Sequence, residues 1–337
     1  MVFDVMVIGG GASGLAAAVT AGRLGCSVLV LERLNEPGKK ILATGNGRCN
    51  LTNNNITAEK CISEATLPAY RSGSYVGKTE AGSFAGEVIS RFESRDAINF
   101  FSSLGILTHS RGEYVYPRSD QAGTVRDALV NACEESGNVR IITGCRAAEV
   151  RRSSDGFEAA CENGKVYIAR KLILATGGRS QPKLGSDGSG EDLAASLGHS
   201  TIKSFPALCA LRSDDRIFFK VAAGVRAQGR ISIFVNGGKA SEDSGEIQYT
   251  SSGLSGIPVF QVSRFAGKAI AEGKTVAAEL DLLPDMTRED ILGFLTVSRT
   301  EHPGLTAVNV LSGIMNKKLS AAVLDKCGVH SGEEIAG

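Results

Sequence analysis

A polar stretch with unusual chemistry runs from Gly38 to Asn53, with the sequence GKKILATGNGRCNLTN. It combines two lysines, an arginine, a cysteine and three asparagines, and therefore adds little to a core. Its run Gly45-Asn46-Gly47 suits backbone conformations that other residues avoid. A backbone that can be approached closely, next to three cationic side chains, predicts that an anionic group binds here, with a solvated surface loop as the alternative.

A second candidate site is the turn GGGASG, which places Gly9, Gly11 and Gly14 at the G-x-G-x-x-G spacing. The first glycine permits a tight turn, the second lets a pyrophosphate approach, and the third lets helix and strand pack closely. Free N–H groups at the start of the following helix favour phosphate. Glu32 follows the next strand, where an acidic side chain accepts hydrogen bonds from a ribose 2′-hydroxyl. These features predict a dinucleotide site; a structural glycine turn is the alternative.

The choice of dinucleotide depends on Glu32 and on the segment that ends in ILATGG. Because Glu32 disfavours a 2′-phosphate, NADP is not expected at this site, whereas FAD and NAD both fit. The short strands before ILATGG resemble the β-meander of glutathione-reductase-type flavoproteins, which favours FAD. In that class the turn at Thr176 to Gly178 passes close to the cofactor, and the loop after Glu32 turns toward the pyrophosphate and flavin.

The predicted cofactor contacts lie in the glycine turn, at the end of the second strand, in the polar loop and beside the meander. They are Gly9, Gly11, Ala12, Ser13, Gly14, Glu32, Arg33, Lys39, Lys40, Thr44, Gly45, Asn46, Gly47, Arg48, Cys49, Asn50, Ala147, Thr176, Gly177 and Gly178.

No catalytic residue or metal site is assigned from the sequence. Cys49 has no cysteine four residues away, which argues against a disulfide reductase, and it is either a packed thiol or a neighbour of the flavin. The histidines at 109, 199, 302 and 330 lack metal-ligand spacing. Tyr116, Arg118 and Ser119 are candidates for the substrate side, with a buried aromatic and surface polar residues as the alternative. Since the cofactor performs the difficult chemistry in flavoenzymes, a missing acid–base motif does not exclude an enzyme.

The elements around these motifs predict an α/β fold with a doubly wound parallel sheet. Phe3 to Ile8, Ala12 to Leu24 and Ser27 to Leu31 read as a βαβ unit, whose strands must be parallel. Helices are expected between Gly82 and Leu104, with Ser94 as an N-cap, and from Ala122 to Glu135. RAAEVRR, GFEAAC and KVYIA read as three short meander strands, followed by a separate buried strand in KLILATGG.

The pattern of predicted strands and helices changes beyond about residue 192. ALCALRS, GRISIFV, GEIQYT and TVAAELDLL read as strands of a small barrel or sheet, with a turn at Asn236 to Gly238. Helices are expected from Leu254 to Ala271, from Thr287 to about Ser298, and once or twice between Asn309 and Cys327.

Composition restricts the class of protein further. The 337 residues carry a net charge of +1, so no whole-chain field attracts nucleic acid or an acidic membrane. A local basic groove remains open, drawn from Arg212, Arg216, Lys220, Arg226 and Arg230, with a solvated face as the preferred alternative. The N-terminus lacks the features of a signal peptide, no apolar run is long enough to span a bilayer, and the eight cysteines are scattered. A cytoplasmic protein with reduced thiols is expected.

Several stretches together resemble one family. GKKILATGNGRCNLTN is similar to the signature loop of the YhiN/BaiN-like bacterial flavoproteins, also described as the aminoacetone oxidase family or as NAD(P)/FAD-dependent oxidoreductases. EYVYPRSDQAGTVRDAL, ILATGGRSQPKLGSDGSGEDLAASLGH, FPALCAL and GEIQYTSSGLSGIPVFQVSR resemble it in the same order. The resemblance implies an FAD-binding domain over residues 1–191, interrupted by an inserted domain over 192–337 that is part β-barrel and part helical. It also implies a final glycine-rich segment that completes the FAD domain, and nothing similar is found here.

The predicted function is that of an FAD-dependent oxidoreductase that transfers a hydride between a small organic substrate and the flavin. NAD(P)H is a candidate electron donor, although GSDGSG lacks the spacing of a second fingerprint and no dedicated nicotinamide domain is expected. One alternative is a reductase of an activated C=C bond in a steroid-like molecule or an RNA base. Another is a truncated dinucleotide-binding module without turnover.

Overall fold

The chain forms two compact units, Met1–Ile202 and Lys203–Gly337. A computed structural model describes residues 1–56, 89–201 and 203–333. The helical segment expected to start at Gly82 lies largely outside these residues. Each unit has a core of its own.

The first unit alternates strands and helices around a six-stranded sheet. Its elements are β1 Val2–Ile8, α1 Ala12–Arg23, β2 Val28–Leu31, β3 Thr52–Asn53, α2 Ser94–Ser102, β4 Thr108–Arg111, β5 Tyr114–Pro117, α3 Ala122–Glu135, β6 Val139–Ile142, β7 Ala147–Ser153, β8 Gly156–Cys161, β9 Val166–Leu174 and α4 Ser189–Ser196. A 3₁₀ segment over Ile41–Gly47 is interrupted by non-helical backbone from Thr44 to Asn46, and another spans Pro182–Leu184.

The strand order of this sheet is β6-β2-β1-β9-β8-β7. The first four strands are parallel, and β9, β8 and β7 form the antiparallel meander. The predicted α/β fold class is confirmed. The prediction of two separate strands in KVYIA and KLIL is wrong, because both belong to β9. Its first half pairs with β8 and β1, and its second half, Arg170 to Leu174, pairs within the described residues with β1 alone.

Alternation along the central strands builds two cores, one on each face of the sheet. Val7 and Val28 pack on one face against Val19 of α1 and Leu129 of α3. On the other face, Met6 and the other side chains of β1 and β2 that point the same way pack against the meander. Burying each such side chain stabilises the fold by about 1.5–3 kcal/mol. The continuous apolar runs of β1 and β2 thus follow from burial on both faces.

A small three-stranded sheet of the first unit has the strand order β3-β5-β4, and β4 and β5 form a hairpin. The predicted N-cap at Ser94 is one residue off. Helix α2 is capped at Glu93, whose backbone N–H donates to the Asp96 side chain at 2.8 Å.

The second unit is built on an antiparallel sheet with the strand order β10-β13-β12-β11-β14. Its elements are β10 Leu211–Arg212, α5 Arg216–Ala222, β11 Arg226–Val235, β12 Gly238–Thr250, β13 Gly253–Ser255, α6 Ile257–Ala271, β14 Val276–Asp281, α7 Arg288–Glu301, α8 Ala307–Leu311 and α9 Lys317–Cys327. Within the described residues, β10 and β14 pair on one side only, so the expected barrel is an open half-barrel.

Turn chemistry and strand pairing each explain one feature of this sheet. Asn236 and Gly237 both have positive φ angles, 49° and 81°, as the tight hairpin between β11 and β12 requires. Helix α6 begins at Ile257 and not at the predicted Leu254, because residues 253–255 pair as β13 with β12 and β10.

The change between the two units falls after Ile202. Helix α4 spans the boundary predicted at 191–192 and packs on β7 of the first unit. That the second unit is an insertion stays a prediction.

Candidate functional site

The glycine turn between β1 and α1 is a cradle in which three glycines are held by their surroundings. A Cβ atom on Gly14 would lie 1.8 Å from the Gly9 carbonyl oxygen, and one on Gly9 would lie 2.4 Å from the Ala175 carbonyl oxygen. Gly10 has the Glu32 side chain 3.1 Å from the same position. At Gly11, by contrast, no atom of the described residues beyond its neighbours in the chain lies within 4 Å of that position. The space beside Gly11 is therefore where a ligand can approach the backbone.

The Glu32 carboxylate fastens this turn to the end of β2. Its Oε2 accepts a hydrogen bond from the Gly10 N–H at 2.7 Å, and its Oε1 accepts one from the Leu34 N–H at 2.8 Å. Glu32 is buried and lines the cleft. Because each carboxylate oxygen has a further lone pair, both remain able to accept a ligand hydroxyl.

Arg33 follows Glu32 and takes part in an ion-pair network. One of its guanidinium nitrogens contacts Asp187, and the other donates to the Pro182 carbonyl oxygen at 3.0 Å. Its Nε atom is buried and has no hydrogen-bond partner among the residues that the structure describes. An unpaired buried donor is costly, and this one lies beside a cleft where a ligand acceptor could satisfy it. Arg146 reaches the same Asp187 oxygen at 3.4 Å.

Burial alone would raise the pKa of Asp187. Hydrogen bonds from the Ser189 hydroxyl and backbone N–H and the positive charge of Arg33 outweigh that effect and lower the pKa to about 2. The Asp187 carboxyl group is therefore ionised at neutral pH.

The turn after β9 forms the opposite wall. Gly177 has a φ of +77°, and a Cβ there would lie 2.6 Å from the Ser186 hydroxyl and 3.3 Å from Lys40 Nζ. Lys40 Nζ itself donates to that hydroxyl at 2.6 Å. Gly190, in the first turn of α4, abuts Thr176 so closely that a Cβ would lie 1.8 Å from Thr176 Oγ1. These contacts hold the ATG turn, the polar loop and α4 together.

These walls enclose a cleft of ≈ 270 Å³. Eleven of the twenty predicted cofactor contacts line it: Gly9, Gly11, Ala12, Ser13, Glu32, Arg33, Lys39, Lys40, Ala147, Thr176 and Gly177. The start of α1, with Ala12 and Ser13, and the end of β2, with Leu31 and Glu32, both line the cleft.

Nine predicted contacts are not among the residues that line the cleft: Gly14, Thr44, Gly45, Asn46, Gly47, Arg48, Cys49, Asn50 and Gly178. Gly14 acts in packing. The Gly45–Asn46 pair reverses the chain with φ angles of 54° and 55°. A Cβ on Gly45 would lie 2.8 Å from Asn50 N and 3.4 Å from the Tyr116 ring. The second half of the polar loop therefore folds against the β4–β5 hairpin. Any contact of these residues with a cofactor stays a prediction.

Cys49 lies in this folded part of the loop in a left-handed conformation, with a φ of 61°. It is buried, and burial raises the pKa of its thiol, while the Thr44 side chain lowers it to a smaller degree. A buried, protonated thiol matches the packed role that the sequence left open.

The sequence reasoning missed the segment that supplies a further wall, with Ser186 and Ser189, and it missed Arg146 beside β7. It also missed Asp187, which lies behind this wall in contact with Arg33 and Arg146. GSDGSG was set aside because its glycines lack the fingerprint spacing. Its density of small and hydroxylated residues after a sheet strand was the available signal. Asp187 reaches Arg33 and Arg146 only because the chain returns across the end of the parallel sheet.

The residues predicted for a substrate side make local contacts. His109 Nε2 lies 3.0 Å from Asp120 Oδ1, and the hydrogen bond with His109 lowers the pKa of Asp120. Ser119 donates to Thr124 Oγ1 at 3.1 Å, and the Arg111 guanidinium lies 5.9 Å from the Tyr116 ring centre. Within the described residues, no three His, Cys, Asp or Glu side chains are placed to hold a metal ion.

The five cations of the second unit were considered as a basic groove. Arg226 lies 3.4 Å from Glu246, and Arg230 donates to the Pro284 carbonyl oxygen at 3.4 Å. Arg212, Arg216 and Lys220 are exposed, with Asp214 and Asp215 among them. Positive charge on this face is thus interrupted by acidic side chains.

The fold and the glycine cradle define a Rossmann-type dinucleotide-binding protein, of the class of FAD-dependent oxidoreductases. Within that class the chain belongs to the HI0933-like family, since the family model described as "HI0933-like protein Rossmann domain" matches residues 3–330. The predicted family and enzyme class are confirmed.

Two curated relatives cover most of the chain. The 3-dehydro-bile acid delta(4,6)-reductase of Clostridium scindens is 40% identical over 95% of this chain and 74% of its own length. The ribosomal RNA dihydrouridine synthase of Escherichia coli is 30% identical over 94% of this chain and 72% of its own length. A solved structure of a flavocytochrome c3 fumarate reductase is 16% identical, with a TM-score of 0.43 over 67% of this chain and 46% of that chain.

Searched over the described residues, the structure contains no helix that is both long enough and apolar enough to cross a membrane.

Proposed function

We propose that this chain holds FAD in the described cleft and reduces an activated C=C bond in a cyclic α,β-unsaturated carbonyl compound. The observation that carries the proposal is the cradle at Gly11. It is open toward the cleft, while Gly9, Gly10 and Gly14 are each held by protein atoms. A purely structural turn has no need of an open glycine between constrained ones.

The residues of the cleft fit an adenine dinucleotide. Gly11, Ala12 and Ser13 would hold the pyrophosphate with backbone N–H groups at the start of α1. Glu32 would accept hydrogen bonds from the ribose, while its bonds to Gly10 and Leu34 keep it in place. Arg33, which also lines the cleft, would place positive charge beside the ligand.

Lys40 and the ATG turn would complete the site on the side of the reacting group. Lys40 Nζ is held by Ser186 and lies near Gly177, so its charge is available next to a backbone that permits close approach. Flavin reduced by the electron donor would provide a hydride for the β-carbon of the substrate, a proton from water would be added to the α-carbon, and the flavin would return to its oxidised form. The protein binds and orients both reactants and keeps Lys40 and Arg33 in fixed positions.

Two relatives with different substrates support reduction of a C=C bond. One is named as a bile acid delta(4,6)-reductase and the other as a dihydrouridine synthase. Both names describe saturation of a ring double bond, and such a bond accepts hydride readily when it is conjugated to a carbonyl group. The broader prediction, hydride transfer between a small organic molecule and flavin, includes this reaction.

A small cyclic molecule is the proposed substrate, in preference to an RNA base. Identity is higher with the bile acid reductase, and the cations of the second unit are interrupted by Glu246, Asp214 and Asp215. Proteins that bind RNA through its phosphates need a continuous positive surface. Binding of ribosomal RNA fragments that weakens steeply with salt would favour the RNA base instead.

NADH or NADPH is the proposed electron donor. A second G-x-G-x-x-G is missing from the sequence, so the donor would bind without a nucleotide domain of its own. Reduction of the substrate would then require both the donor and FAD.

The test uses purified full-length chain, supplied with FAD and passed through gel filtration. A retained flavin spectrum is expected in wild type and is expected to be strongly diminished in Gly11→Ala. Under anaerobic conditions NAD(P)H should bleach the flavin, and a 3-oxo-Δ4 steroid should restore its absorbance. Bleaching by a saturated substrate alone would indicate an oxidase. Failure of the folded wild-type chain to retain FAD would contradict the proposal and favour the module without turnover.

A further inference from the structure

Two arginine side chains converge on one carboxylate oxygen at the β2 end of the cleft, which we call the adenosine end and define by Glu32, Arg33 and Arg146. Arg33 Nη1 and Arg146 Nη2 both contact Asp187 Oδ2, the latter at 3.4 Å. The other oxygen, Oδ1, accepts hydrogen bonds from the Ser189 N–H at 3.1 Å and from Ser189 Oγ at 2.8 Å. The carboxylate of Asp187 is thus held on both sides.

Without Asp187, the adenosine end would resemble a phosphate site. An arginine just after the second strand is the group that accommodates the 2′-phosphate of NADP in Rossmann-type sites. Two guanidinium groups that face one point are well suited to bind a phosphate through charge-assisted hydrogen bonds. Here Asp187 occupies that point, and Glu162 holds Arg146 Nε at 3.3 Å.

We propose that Asp187 is a specificity-determining residue. By holding the guanidinium groups of Arg33 and Arg146, it prevents both from accepting a 2′-phosphate on the adenosine ribose. The cleft then takes FAD and excludes 2′-phosphorylated dinucleotides, and Glu32, which lines the cleft with Arg33 and Arg146, adds a further negative charge there.

Exclusion of 2′-phosphorylated dinucleotides from the cleft matters if NADPH serves as the electron donor. FAD and NADPH share an adenosine diphosphate portion, so a donor present in solution competes for any cleft that binds this portion. A cleft closed to the 2′-phosphate keeps its FAD. The inference rests on the proposed function, because it assumes that the cleft holds FAD.

The experiment measures displacement of bound FAD from the holoenzyme by two competitors that differ only in the 2′-phosphate, ADP-ribose and 2′-phospho-ADP-ribose. Recovery of flavin fluorescence reports release. In wild type, 2′-phospho-ADP-ribose should be the weaker competitor. In Asp187→Asn, the ratio of the two half-displacing concentrations should shift by about tenfold toward the phosphorylated compound, which is roughly the contribution of one charge-assisted hydrogen bond.

Three further variants separate specificity from a general structural effect. Asp192→Asn removes one negative charge from an exposed position on α4 and should leave the ratio at its wild-type value. The double variant Asp187→Asn/Arg33→Met should not show the shift in the competitor ratio that is expected for Asp187→Asn. If Asp187→Asn does not fold, Ser189→Ala serves in its place, because it removes one hydrogen bond to Asp187 and should shift the ratio less but in the same direction.

The outcomes distinguish the two proposals. A wild-type chain that retains no FAD overturns the proposed function, and this inference with it. A wild-type chain that retains FAD, combined with an unchanged ratio in Asp187→Asn, overturns this inference alone. Equal weakening of both competitors would mean that Asp187 only supports the fold.

Discussion

Glu32 Oε2 lies 2.7 Å from the backbone nitrogen of Gly10, so the acidic residue after β2 is bonded to the glycine turn after β1. The glycine turn and the acidic residue after β2, which together predict a dinucleotide site in the sequence, therefore form one structural unit. The carboxylate holds the turn in the conformation that leaves Gly11 open toward the cleft. Under the proposed function, we expect cofactor binding and local stability to depend on the same side chain.

Replacing Glu32 with Gln should reduce both properties. The amide loses the negative charge and can offer only one acceptor to the Gly10 and Leu34 N–H donors. We expect the free energy of unfolding to fall by about 2 kcal/mol, as for loss of a buried hydrogen bond to a charged group. Urea unfolding of the FAD-free chain measures this. Glu135→Gln, at an exposed position of α3, is the control and should leave it nearly unchanged.

Two alanine substitutions in the glycine turn should have opposite consequences. Gly14→Ala places a methyl group 1.8 Å from the Gly9 carbonyl oxygen, so overpacking should destabilise the chain by about 1–3 kcal/mol or more. Gly11→Ala meets no protein atom within 4 Å, and its stability should stay within about 1 kcal/mol of wild type. FAD affinity of Gly11→Ala should nevertheless fall at least tenfold, roughly one lost hydrogen bond. Thermal unfolding and FAD titration check the pair; equal stability of the two variants would contradict the packing argument.

The Asp187 network should make a contribution to stability that is lost in acid. Burial opposes ionisation, but the Ser189 bonds and Arg33 lower the pKa of Asp187 from 3.8 to about 2. A lowered pKa means that the contribution is complete above pH 3.8 and disappears as the pH falls toward 2. The difference in unfolding free energy between wild type and Asp187→Asn should therefore be constant near neutral pH and shrink across that interval. A difference that grows in acid would have the wrong sign.

The cysteines should divide into reactive and protected groups. Cys327 is exposed, whereas burial raises the pKa of Cys133 to about 11 and that of Cys161, next to Cys145, to about 12. Iodoacetamide near neutral pH should modify Cys327 quickly, and Cys133 and Cys161 only after unfolding, as peptide mass mapping can show. Rapid labelling of Cys133 in the folded chain would contradict its burial.

The same thiols predict a loss of stability in base. Unfolded thiols ionise around pH 9.0, while the buried ones stay protonated to higher pH. Their raised pKa values therefore favour the fold below pH 9.0, and this contribution falls as the pH rises toward 11 and 12. Unfolding measured about one pH unit below and above this ordinary value of 9.0 should show the decline.

The sequence by itself was sufficient for the βαβ unit, the glycine fingerprint and the family. These depend on local rules: burial on both faces makes β1 and β2 continuously apolar, and the backbone of the turn admits only glycine at Gly9 and Gly14. Asn236 and Gly237 likewise identified a hairpin, because two successive positive φ angles demand such residues. Helix α3 was predicted with the bounds that it has, Ala122–Glu135.

Only the tertiary structure decided which polar residues share the cleft. Lys40 and Ser186 are far apart in the chain and meet at 2.6 Å, and Asp187 joins Arg33 to Arg146. No periodicity records such contacts, because they arise where separate crossovers of a parallel sheet return to the same edge. For the same reason the second half of the polar loop folds toward Tyr116, although its composition alone pointed to the cofactor. The residue types indicated which chemistry to expect. The path of the chain across the sheet decided which side chains lie close enough to act together.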